Sequence, residues 1–420
     1  MASKRKPQHV RASDLRGVAQ LATQAVEGVT RIAEGVHQSV WDTLGVRGGA
    51  APGQTGGLTG LVYQSIRAGA QLFGKGADAL LAKLDPALAS AADAAPGSHA
   101  REAVIAALNG VMGDHLIASN NPLATPMTLR YRGEALDPET QTQLPGVSGK
   151  VLLLIHGLCL NDLQWRAQSD GAIVDHGAAL ATALGYTPIY LRYNSGLHIA
   201  QNGRELSLLL DQLIARWPTP IEELAVVAHS MGGLVIRSAC HHAPRDGMRW
   251  PRKLKHIVFL GTPHHGAPLE RAGNWVDAML AGTPYTAPFA MLGRLRSAGI
   301  TDLRHGSVLD DDWQGGDRFD REPDSRPIVP LPVGVACHTI AATAAARRSA
   351  TADRLIGDGL VPLHSALGHH DDAQRRLEFA PASQWIAYRT NHMQLLSSSG
   401  VTQQIERWLT PSQGAGTLNR

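Results

Sequence analysis

Six short runs, at 150–155, 187–193, 224–228, 256–260, 334–341 and 384–389, are predominantly apolar and are bounded by turn residues, Gly and Pro above all. Between them lie stretches of helical period, among them 175–184, 200–217 and 232–242. A strand that is apolar on both faces needs cover on both, and strands separated by helices are joined by crossovers. The alternation therefore predicts a mostly parallel sheet covered by helices on both faces, a doubly wound α/β fold. Between the fourth and fifth runs, residues 267–333 form a long insertion holding Trp275, Tyr285, Phe289, Trp313 and Phe319, five of the chain's 20 aromatic residues. An insertion of this length and content is expected to cap a pocket at the carboxyl edge of the strands.

Residues 1–120 have another character: no cysteine, and only Trp41, Tyr63 and Phe73 as aromatics. Leu15, Val18, Ala22, Ala25, Val29, Ile32 and Val36 recur three and four apart, and a second stripe runs from Leu58 to Leu84. A third comprises Val104, Leu108, Val111 and His115, so three amphipathic helices are expected in this region. Two roles stay open for it: packing on the rest of the protein or a second subunit, and adsorption on a membrane or other lipid surface. The oligomeric state is not legible.

Charge and cysteine content narrow the classes further. Lys and Arg number 39 against 36 Asp and Glu, too even for nucleic acid to be the expected partner. No run approaches the ~20 apolar residues of a membrane span. The basic start, Met1-Ala-Ser-Lys-Arg-Lys, is not followed by the apolar core of a signal peptide. Cys159, Cys240 and Cys337 are too few and too scattered for a disulfide framework, so a reducing, cytoplasmic location is expected.

The most specific local signal is Leu224-Ala-Val-Val-Ala-His-Ser-Met-Gly-Gly-Leu234. An apolar strand runs through Ala228-His229-Ser230-Met231-Gly232 into a helix, the layout of a turn that holds a nucleophilic hydroxyl exposed. Such a turn needs small residues two before and two after the serine; Gly232 meets the second requirement, and Ala228 stands where Gly is commonest. Upstream, the run Val151-Leu-Leu-Leu-Ile155 ends in His156-Gly157-Leu158. The Leu158 and Met231 N–H groups are the candidate donors for an oxyanion, and His156 is read as orienting its own loop. Asn161 to Trp165 are candidates for shaping the pocket. Downstream, Gly357-Asp-Gly-Leu-Val-Pro362 offers Asp358 in a tight turn, and His392 falls in the loop between the last strand and the last helix. Asp353, Asp310 to Asp312, Asp371 and Asp372 are the rival acids.

Taken with Gly261-Thr-Pro-His-His-Gly266, these motifs in this order make residues from about 125 onward resemble the α/β-hydrolase superfamily, within it the lipase and esterase group that includes inositol-deacylase-like serine hydrolases. The resemblance implies Ser230 as nucleophile, His392 as base and Asp358 as acid, with Leu158 and Met231 lining the oxyanion hole. It implies residues 267–333 as a lid or cap, and the cleavage of a small-molecule or lipid carboxylic ester. An acyltransferase or amidase using the same serine, or a silent binding protein on the same fold, are the alternatives. No cofactor is expected. No metal is expected either, because Asp371-Asp372, His241-His242 and His369-His370 lack further ligands in view.

Overall fold

The structure, a computed structural model, describes residues 99–137, 143–169, 171–267, 297–312, 326–346 and 357–411, with a few positions between 13 and 24. The first two amphipathic stripes and the five aromatic residues of the insertion lie outside the described residues. Residues 102–115 and 125–420 form one compact unit, and residues 1–101 with 116–124 form another. Within the second of these units, Arg101 forms an ion pair with Asp14 at 2.6 Å, and the Asn121 side chain donates to the Gly17 carbonyl at 3.0 Å.

The larger unit is built on one sheet. Its strands are β1 (Thr128–Tyr131), β2 (Glu134–Ala135), β3 (Lys150–Ile155), β6 (Thr187–Arg192), β7 (Glu223–His229), β8 (Leu254–Leu260), β9 (Ala336–Thr343) and β10 (Gln384–Tyr388). The strand order is β10-β9-β8-β7-β3-β6-β1-β2. The pairs from β10 to β6 are all parallel, whereas β1 runs antiparallel to β6 and to β2. A separate antiparallel pair, β4 (Arg166–Ser169) and β5 (Ala172–Asp175), stands apart from this sheet.

The central strands are apolar throughout because both of their faces are covered. From Val151 to Ile155 and from Leu224 to Ala228 every residue is buried. The covering helices include α2 (His176–Leu184), α3 (Ile199–Arg216), α4 (Met231–Arg245) and α7 (Ser399–Leu409); α1 (His99–Ala118) precedes the sheet in sequence, and α5 (Ala298–Asp302) and α6 (Leu363–Ala366) are short. Helices α3 and α4 pack closely: a Cβ on Gly203 would stand 2.3 Å from Ser238 Oγ. Residues 102–115 of α1 belong to this unit. There a Cβ on Gly110 would stand 2.3 Å from Cys159 Sγ, and the Gly110 carbonyl accepts from Ser297 Oγ at 2.6 Å.

The turn from β1 to β2 was not legible. Arg132 and Gly133 both adopt positive φ, 52° and 88°, the conformation of a tight two-residue hairpin that Asn-Gly would have announced and Arg-Gly does not. Among the described residues no helix is long and apolar enough to cross a membrane.

Candidate active site

Strand β7 is buried to its last residue, His229, and α4 begins at Met231, so the whole change of direction falls on Ser230. Its φ of 55° and ψ of −124° lie in a region that residues with a Cβ avoid. Hydrogen bonds hold it there: Ser230 N donates to the Leu260 carbonyl at 2.8 Å, and the Ser230 carbonyl accepts from Gly233 N at 3.0 Å. The turn is tight enough to fix its neighbours' sizes. A Cβ on Gly232 would stand 2.6 Å from the His156 carbonyl and 2.7 Å from that of Ile155. Ala228 is fully buried, so its methyl is accommodated where the commonest motif has Gly. Ser230 Oγ is buried and has no hydrogen-bond partner among the described residues.

The loop after β3 passes directly against this turn. A Cβ on Gly157 would lie 2.9 Å from Ser230 Cβ, which requires glycine there and brings the buried Leu158 alongside. The next residue, Cys159, has φ 59°, and its N–H donates to Ser195 Oγ at 3.1 Å. His156 orients this loop. Its Nδ1–H donates to the Gly157 carbonyl at 2.8 Å, its ring stacks on Tyr193 with centroids 4.3 Å apart, and Tyr193 O–H donates to the His156 carbonyl at 2.9 Å. Burial lowers the His156 pKa to about 4, so the ring is neutral at pH 7. Met231 is the first residue of α4, and the first N–H groups of a helix have no partner within it and sit at its positive end. Asn161 caps a short 3-10 turn through a capping box, and Trp165 is fully buried, so this stretch anchors the loop.

The acid and the histidine meet by long-range hydrogen bonds. Asp358 Oδ2 accepts from His392 Nδ1 at 2.6 Å, and both residues are buried. The other carboxylate oxygen, Oδ1, accepts from the Leu360 and Val361 amides at 2.9 and 2.7 Å. His392 N in turn donates to the Asp358 carbonyl at 3.1 Å. Gly357 has φ 48°, and a Cβ on it would meet the Val361 carbonyl at 2.1 Å, which explains the glycine before the acid. Gly261, at φ 58°, forms a floor beneath the pair: a Cβ there would lie 3.1 Å from His392 Nδ1 and 3.2 Å from Asp358 Oδ2.

One further residue links the two halves. His229 Nε2–H donates to the His392 carbonyl at 3.1 Å, with the two rings 4.6 Å apart, so the residue before Ser230 grips the histidine loop. Burial, reinforced by the neighbouring His392, holds His229 well below its usual pKa and therefore neutral. Sequence reasoning passed over this contact, although a histidine ending an apolar strand beside a candidate nucleophile was a usable signal. The rival acids stand elsewhere. Asp310 forms an ion pair with Arg204, Asp312 accepts from the Val308 and Leu309 amides, and Asp372 caps the turn at 373–375. Asp371 is exposed, and Asp353 lies outside the described residues.

Ser230 thus follows a central strand, Asp358 comes after β9 and His392 after β10, in the chain order Ser, Asp, His on a mostly parallel sheet. This is the α/β-hydrolase fold. Over residues 120–303 the chain matches a domain of unknown function, DUF7379. No curated protein matches it. Among solved structures, the chain is similar to the Bacillus licheniformis lipase BlEst2 at 17 % identity, covering 68 % of this chain and 98 % of that one with a TM-score of 0.41. It is also similar to a lipase-esterase related protein from Clostridium acetobutylicum, at 13 % identity over 62 % of this chain and 95 % of that one, TM-score 0.33. The Pyrococcus furiosus esterase Pf2001 is similar at 12 % identity over 62 % and 80 %, TM-score 0.35. In α/β-hydrolase terms, the elbow is the junction of β7 and α4, and the loop after β3 faces it.

Proposed function

We propose that this chain is a serine hydrolase that cleaves carboxylic esters carrying an apolar acyl chain. The observation that carries the reading is the buried Asp358–His392 pair at 2.6 Å, held by His229 against the strained turn at Ser230. In this reading Ser230 Oγ attacks the ester carbonyl while His392 Nε2 takes its proton. Asp358 fixes the imidazole tautomer through Nδ1 and stabilises the imidazolium. The oxyanion of the tetrahedral intermediate accepts hydrogen bonds from Leu158 N–H and Met231 N–H. Its collapse breaks the bond to the alcohol, which leaves with the proton from His392, and an acyl-enzyme remains on Ser230. Water, deprotonated by the same histidine, then releases the acid.

The preference for an apolar acyl group rests on the aromatic content of the 267–333 insertion. A chain-length series of p-nitrophenyl esters tests both parts. Wild type is expected to turn over the series with a preference for longer acyl groups, and Ser230→Ala to lose on the order of 10⁶ in kcat. A Ser230→Ala variant retaining more than about a tenth of the activity would remove Ser230 from the mechanism.

A further inference from the structure

The third amphipathic stripe of residues 1–120 falls on α1, and that helix carries Gly110 and Gly113 in its interior. Glycine there costs stability relative to alanine, so its presence asks for a packing reason. The loops supply one. A Cβ on Gly110 would lie 2.8 Å from both Cα and N of Cys159, and one on Gly113 would lie 1.8 Å from Asn194 Oδ1. The backbone of α1 is therefore in direct contact with the loop after β3 and with the loop after β6.

The loop after β3 is gripped at both ends. Gly157 lies against Ser230, as described above. At the other end Cys159 holds a left-handed φ of 59°, which a residue with a Cβ keeps only where its surroundings impose it. Its N–H donates to Ser195 Oγ at 3.1 Å, and its Sγ reaches the Ala107 carbonyl at 3.9 Å. Two residues on, the Asn161 side chain donates to the Glu102 carbonyl at 3.0 Å. Burial pushes the Cys159 thiol up to about 12, so it is a neutral packing group and not a second nucleophile.

Ser195 is set by the same helix. Asn194 Nδ2 donates to the Gly113 carbonyl at 3.0 Å, and a Cβ on Gly196 would lie 2.1 Å from the Asn109 carbonyl. Both neighbours of Ser195 thus meet α1, and its buried hydroxyl is held toward Cys159. Leu158, fully buried, stands between the two grips. A donor stabilises an oxyanion only when it is aimed before the charge develops, and a misplacement of about 1 Å forfeits much of the effect.

We infer that residues 102–115 of α1 clamp the loop that carries the Leu158 N–H, and that Gly110 and Ser195 are positioning residues for the oxyanion hole. The inference rests on the reading of this chain as an ester hydrolase with Ser230 as nucleophile. It gives part of the N-terminal region a role in catalysis through the backbone of its helix.

Two readings on the full chain test it together: turnover of the best p-nitrophenyl ester of the series, and inhibition by the trifluoromethyl ketone of the same acyl chain, whose adduct with a serine carries an oxyanion. Ser195→Ala removes the acceptor of the Cys159 N–H. It is expected to lower kcat about tenfold with KM unchanged, and to weaken the ketone in the same proportion. The midpoint of the pH dependence of kcat/KM is expected to stay at the wild-type value, because Asp358 and His392 keep their pair. Gly110→Ala suits a helix better but presses on Cys159, and is expected to lower kcat and ketone affinity at least as much. Should that variant not fold, Ser195→Ala decides, since it loses a single oxygen. Asn161→Ser keeps a capping oxygen but not the reach to Glu102, and is expected to fall between Ser195→Ala and wild type. Wild-type kcat and ketone affinity in Ser195→Ala, or a loss confined to KM or to melting temperature, would overturn the clamp while leaving the ester reading intact. A wild type inert toward ester and ketone alike would overturn the ester reading and the clamp with it.

Discussion

At Ser230 the chain is held by its own neighbours in sequence, whereas Asp358 and His392 are held by partners far along it. The elbow's constraints come from the strand that ends at His229, the helix that begins at Met231 and the small residues Gly232 and Gly233. The acid and histidine sit 34 residues apart, on turns joined by two hydrogen bonds to each other and by His229 to the elbow. Local strain fixes the direction of the hydroxyl. Long-range hydrogen bonding fixes the imidazole. A site assembled in this way concentrates its backbone cost at one residue and its polar networking at two others.

That contrast can be broken or sharpened by substitution. The largest effect after loss of the serine is expected at the long-range half: Asp358→Asn keeps an Oδ1 for the Leu360 and Val361 amides but offers His392 no carboxylate. Its kcat in ester turnover should fall by about 10⁴ with the fold retained, because the imidazole loses its tautomer and its counter-charge. A loss below about tenfold would show that another acid serves His392. At the local half, Gly232→Ala places a methyl 2.6 Å from the His156 carbonyl, backbone that cannot rotate away. We expect about 2–3 kcal/mol of destabilisation in urea unfolding, the upper part of the overpacking range. A neutral result would mean that the turn is looser than its contacts indicate.

The smallest effect isolates the strain itself. With φ 55° at Ser230, a glycine there is relieved of the Cβ clash that an alanine keeps. Ser230→Gly should therefore be about 1 kcal/mol more stable than Ser230→Ala, compared by the same unfolding measurement on two inactive proteins. Equal stabilities would assign no strain to the turn.

The elbow was legible in the sequence for the reason that makes it local. Strand pattern, small residues and helix pattern stand next to one another from Leu224 to Leu234, and Gly232 and Gly233 are required by close approach to Ile155, His156 and Thr262. The six strand runs were legible because burial on both faces makes them apolar, and their observed bounds differ by up to two residues at an end. Asp358 and His392 could be picked out by chain order, but the bond between them could not, since it depends on how β9 and β10 stand side by side. Less visible still was the grip of His229 on the His392 carbonyl, and the floor that Gly261 lays beneath the pair. These are contacts between separate loops, and no periodicity records them. The hairpin at Arg132-Gly133 escaped for a different reason: a residue other than Asn or Asp occupies a left-handed position.

The central claim is that Ser230 is a nucleophile activated by His392. The most direct measurement is labelling of the full chain with a serine-reactive fluorophosphonate, with the adduct mapped by peptide mass spectrometry in wild type and in His392→Ala. One adduct on the peptide containing Ser230, lost in the His392 variant, is the predicted result. No adduct, an adduct on a different serine, or labelling undiminished without His392 would contradict it.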